Sequence, residues 1–102
     1  MNKLLTLTAN GGFLSACATA PPPKELLEAR KMYEQAQSGL AAKLAPAALD
    51  SAKQALQRAE RSYRDTEDSA ETRALGYIAE RRARLAEAAG DVAFAGNEKL
   101  SA

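Results

Sequence analysis

Apolar residues recur along this chain at alternating spacings of three and four. Leu26, Ala29, Tyr33, Ala36 and Leu40 make the first run, and Leu49, Ala52, Leu56, Ala59 and Tyr63 the second. A seven-residue period of this kind gives a helix one apolar stripe. The first run predicts a helix over 24–38. Pro23 stands near its start, Glu25 and Glu28 in its opening turns, and Ser38-Gly39 at its end. Leu40 to Leu44 either continue that helix or form a separate turn. Pro46 opens a second helix over 46–64, and Ala45 before it is pushed away from helical angles.

A third helix is predicted over 68–95. Asp68 followed by Glu71 is a capping-box-like start, with Thr66 as a rival cap. Its expected apolar stripe is Leu75, Ile78, Leu85, Ala89 and Val92, broadened by Ala79, Ala83, Ala86 and Ala93, with Arg82 falling on the stripe. Gly76 costs such a helix about 1 kcal/mol against alanine, and either admits a close neighbour or is a tolerated defect. The expected fold class is all-α: an antiparallel hairpin plus a longer third helix, coiled-coil-like or helical-repeat-like. At 1.5 Å per residue the third helix is roughly 40 Å long against roughly 20–30 Å for the others. Its C-terminal end, with Val92 and Phe94, is expected to overhang. An apolar overhang calls for a partner, another copy or more chain.

Composition narrows the chemistry. Hydrophobic residues are 46% of the 102, but many are alanine, tryptophan is absent and aromatics are only 5%, so the core is expected to be thin. There is no histidine, which removes the commonest general base and metal ligand. Ser and Asp without histidine build no hydrolytic triad, so no enzyme, metal or cofactor is expected. The net charge of +1 gives no field for nucleic acid, and no small-molecule substrate is indicated. A single cysteine forms no disulfide within the chain. No apolar run approaches the roughly 18 residues that span a bilayer.

That cysteine sits in a distinctive stretch. Met1-Asn2-Lys3 is a short basic start. Leu4 to Ala9, then Phe13-Leu14, form an apolar region broken by Asn10-Gly11-Gly12, and Ser15-Ala16 precede Cys17. This is the layout of a signal peptide over 1–16. Leu14-Ser15-Ala16-Cys17 resembles the bacterial lipobox, which implies cleavage between Ala16 and Cys17 and lipid attachment at Cys17. Several acyl chains on one residue hold a membrane far better than one. Neither Ala18 nor Thr19 is the aspartate that resembles an inner-membrane retention signal, so the periplasmic side of the outer membrane is the expected address. Residues 17–23 then form a tether whose three prolines favour polyproline II, standing the 24–102 domain roughly 20 Å off the lipid.

The order of the lipobox-like stretch, the proline run, Glu25 to Arg30, Leu44 to Leu49 and Tyr77 to Ala83 resembles the domain-of-unknown-function family numbered 4398. The resemblance covers roughly Cys17 to Ala93. It implies a short helical periplasmic lipoprotein domain, of a kind often followed by an OmpA-like peptidoglycan-binding domain. No such domain is among these residues, and peptidoglycan binding is not carried over. Cys17 alone has a role to transfer.

Two charged clusters remain. Arg73, Arg81, Arg82 and Arg84 form either a patch for anionic headgroups or an acidic partner, or a solvated face paired with Glu80 and Glu87. Asp65, Glu67, Asp68 and Glu71 lack the order of a calcium loop and read as an acid-rich helix start. The expected function is an outer-membrane lipoprotein serving as a periplasmic scaffold or adaptor, its partners the membrane, an envelope protein or itself. One alternative is a soluble helical-repeat-like peptide-binding module with a groove lined by Leu26, Tyr33 and the third helix. The other is a self-associating coiled coil.

Overall fold

The computed structural model describes residues 20–101. The expected signal segment 1–16, and Ala16 and Cys17 with their expected cleavage and lipid attachment, lie outside them. All regular structure among the described residues is helical: α1 (Lys24–Ser38), α2 (Ala41–Leu44), α3 (Pro46–Thr66) and α4 (Ala70–Ser101). The fold is all-α.

The breaks follow local chemistry. Pro23, in an extended conformation at φ −66° and ψ 157°, caps α1, and its carbonyl accepts from the Leu26 and Leu27 amides. A proline there loses no helical bond, because its missing N–H would have had no partner. After Ser38 the chain turns, and Leu40 to Leu44 resolve as a separate short helix instead of an extension of α1. Ala45 before Pro46 sits at φ −142°, outside the helical region. α3 ends at Glu67, whose φ of 55° is unusual for a residue with a side chain.

The start of α4 differs from expectation. Neither Asp68 nor Thr66 caps it; the Ser69 hydroxyl accepts the Thr72 amide at 3.1 Å. Serine binds the third amide of a helix as well as aspartate does. The helix also continues to Ser101, past the expected end near Ala95. Its 32 residues make it about 48 Å long.

Three layers of small residues hold the helices together. One layer joins Ala29, Ala55 and Ala79; the next joins Met32, Ala52 and Ala83; the third joins Ala36, Ala41 and Ala86. Following those layers, α1 and α4 run parallel and α3 runs against both. α4 lies along both α1 and α3, which meet each other over a shorter stretch.

The buried face of α4 is only part of the expected stripe: Ala79, Ala83 and Ala86 are buried as expected and Leu75 and Ala89 are half-buried, but the large residues of its other positions are not inside. Thr72, Gly76, Ala79, Ala83, Ala86 and Gly90 are buried, whereas Ile78, Leu85 and Val92 are exposed. The cause is steric. A Cβ on Gly76 would stand 2.9 Å from the Leu26 amide nitrogen, and one on Gly90 would stand 2.7 Å from the Ala41 nitrogen. α1 and α2 approach so closely that α4 places only small residues against them. Gly76 is therefore a close-approach site. A related correction applies to the first apolar run: in α1 Met32 is buried and Tyr33 only partly so beside the same layer, and beyond α1 Leu40 is exposed.

The segment Ala20 to Pro23 is docked, not a free spacer. Pro23 is buried, and the Tyr63 hydroxyl donates to the Ala20 carbonyl. The chain therefore enters the bundle at the end where α3 turns into α4.

Candidate functional site

Successive helical residues are about 100° apart, so positions two apart lie on nearly opposite faces. Stepping two residues along from the buried seam of α4 gives a second seam on its outer face. One position of that repeat holds Ile78, Leu85 and Val92, exposed by 42%, 66% and 72%. The alternate position holds Ala74, Arg81, Ala88 and Ala95, all exposed. A helix thus buries its small residues and displays its large ones. Beyond Gly90 every described side chain through Lys99 is exposed, apart from half-buried Ala93. That overhang of about 16 Å carries Val92 and Phe94.

The four arginines singled out from sequence do not converge. Arg73 pairs with Asp68 at 2.6 Å, near the start of α4. Arg82 reaches across to α3 and donates to the Ser51 hydroxyl at 2.7 Å. Arg84 pairs with Glu80 at 2.5 Å on the same helix, and that hydrogen bond raises its already alkaline pKa. Arg81 lies over the Tyr77 ring, 5.9 Å from its centroid. Arg82 points about 100° away from Arg81, while Arg81 and Arg84, three positions apart, share the outer face but hold different groups, so the four make no common patch.

A polar cluster centred on buried Ser62 and Thr72 lies at the turn between α3 and α4, where the sequence pointed to the acids and to Thr66. The Ser62 and Thr72 hydroxyls are 2.7 Å apart, with Thr72 fully buried. Ser69 donates to the Thr72 hydroxyl at 3.0 Å and Thr66 donates to the Ser62 carbonyl at 2.9 Å. The small hydroxyls meet their hydrogen-bonding needs inside a seam too narrow for larger groups, which fixes the register of the turn. Asp65, Glu67 and Asp68 are exposed, and among the described residues no cluster of His, Cys, Asp or Glu is disposed to hold a metal ion. Nor is any described helix long and apolar enough to cross a membrane.

Leu26 and Tyr33, expected to line a peptide groove, fill space between helices: Leu26 is fully buried and Tyr33 packs beside Met32, Ala52 and Ala83. The outer seam of α4 is a feature left unassigned by the packing. Its signal was present in the sequence as a second heptad interleaved with the buried one, readable only if residue size is weighed along with hydrophobicity.

The profile of DUF4398, a family defined as a domain of unknown function, matches residues 24–100. The chain belongs to the DUF4398 family. The match takes in all of α1 to α3 and α4 almost to its end, so the overhang is within the family's domain. No curated protein and no solved structure matches the chain.

Proposed function

We propose that this DUF4398 protein is an outer-membrane lipoprotein, anchored through Cys17, whose helical body is a non-catalytic periplasmic scaffold. In this reading α1 and α3 form an antiparallel hairpin that carries the longer, coiled-coil-like α4, and α4 presents its outer face for association in the envelope, with another protein or with itself. The Leu14-Ser15-Ala16-Cys17 stretch carries the anchor. With Ala20 docked against Tyr63, only two residues lie between Cys17 and the bundle, a reach of about 10 Å. A lipid at Cys17 would hold the α3–α4 turn near the headgroups, closer than a free proline spacer would. The exposed Ile78, Leu85 and Val92 support a scaffold, because a solvated apolar seam is a surface for a partner.

Growth with labelled palmitate tests the anchor. The chain takes up label and fractionates with the outer membrane, and Cys17→Ala abolishes both. An unlabelled chain, or label undiminished in Cys17→Ala, overturns the reading. The peptide-groove alternative draws no support from Leu26, which has no exposed surface to offer.

A further inference from the structure

We propose that the outer seam of α4 pairs with the same seam of a second copy, the two helices running antiparallel. The size pattern points to this arrangement. Large residues occupy one seam position (Ile78, Leu85, Val92) and alanines most of the other (Ala74, Ala88, Ala95), all exposed. In a parallel pair each position meets itself, so leucine faces leucine, alanine faces alanine, and the helices cannot close evenly. In an antiparallel pair the two positions meet each other. One register then sets Leu85 against Ala88 of the second copy and Ile78 against Ala95, a large residue into a small one at each of these layers. Val92 lies beside Arg81, whose aliphatic stem covers it.

Charge selects the same arrangement. Arg81 and Arg84 lie on the N-terminal half of the outer face, and Asp91 and Glu98 flank its C-terminal half. The antiparallel register brings Arg84 of each copy beside Asp91 of the other, twice by symmetry, and leaves Lys99 within a turn of Glu71. A parallel pair would stack Arg81 on Arg81 and Lys99 on Lys99. Like charges at seam positions oppose association, and opposite flanking charges set orientation. The full length of α4 takes part, including the overhang that α1 and α2 leave uncovered.

The pairing goes beyond the anchor and does not need it. Where both hold, the two Ala20 ends emerge at opposite ends of the dimer, and two lipids lay α4 along the membrane surface.

Sedimentation equilibrium of the full chain bearing Cys17→Ser, without lipid or thiol, tests the pairing separately from the palmitate experiment. The expected result is a concentration-dependent dimer. Leu85→Glu, at a position solvated in the single chain, keeps the helical circular dichroism and weakens the dimer on the order of a hundredfold. Arg84→Glu and Asp91→Arg each weaken it roughly tenfold, and the double variant returns to within about threefold of the parent. A monomer at all concentrations overturns the proposal, as does a dimer indifferent to Leu85→Glu. A double variant no tighter than the singles overturns the antiparallel register.

Discussion

Gly76 sits against Leu26 so closely that a Cβ on the glycine would be 2.9 Å from the leucine's amide nitrogen. The contact is with backbone, which cannot swing aside as a side chain can. Gly76→Ala therefore loses more to the clash than it gains in helix propensity, with a net destabilisation of about 1–3 kcal/mol by denaturant unfolding. Gly96 provides the contrast, since nothing lies within 4 Å of the Cβ it lacks. Gly96→Ala leaves stability unchanged or raises it by up to about 1 kcal/mol, and slows amide exchange in the overhang.

The Ser62–Thr72 hydroxyl pair gives a second test. Thr72→Val preserves shape and leaves the buried Ser62 hydroxyl short of a partner, at a cost of about 1–3 kcal/mol. Ser62→Ala together with Thr72→Val removes both polar groups, and the double variant loses less than the two single losses added. A double-mutant cycle by chemical denaturation reads the coupling.

Arg30 and Glu60 join α1 to α3 through two hydrogen bonds, at 2.6 and 2.8 Å. The bond to Glu60 raises the Arg30 pKa, with burial acting against it. A cation whose folded pKa is raised stabilises fully below its unfolded value and loses that contribution only as pH climbs through the folded one. Both values lie far to the alkaline side, so Arg30's contribution is level from about pH 5 to 10. The Arg30 side chain is 40% exposed, so solvent screening holds the pair to about 0.5 kcal/mol. Glu60→Gln lowers the unfolding free energy by about that amount at low salt, and the difference shrinks in about 1 M salt.

The sequence made the all-α fold legible because prolines and a seven-residue period mark helices without reference to packing. Pro23 and Pro46 stand at the starts of α1 and α3. The facing of α4 was legible only in its alanines, Ala79, Ala83 and Ala86, because the usual rule also puts the largest apolar residues inside. Here Leu85 is outside and Ala86 inside, since two helices close on α4 at backbone distance and set size above hydrophobicity. The cap was misread for a related reason: acids draw attention at a helix start, yet Ser69 and Thr72 made the bonds. The arginines read as a cluster along the chain separate in space, because neighbours in sequence are not neighbours on a helix surface.

The inside-out character of α4 is the claim on which the rest stands, and two adjacent residues test it. Ala86 is fully buried and Leu85 is 66% exposed. Unfolding free energies are to be measured for Ala86→Leu and Leu85→Ala by urea denaturation, at concentrations where the chain is monomeric. Ala86→Leu is expected to cost about 3 kcal/mol or more, by forcing additional carbon atoms into a seam closed to them. Leu85→Ala is expected to cost about 0.5 kcal/mol or less. A loss of about 2–5 kcal/mol for Leu85→Ala, with Ala86→Leu tolerated, would put the large residues in the core and contradict the account.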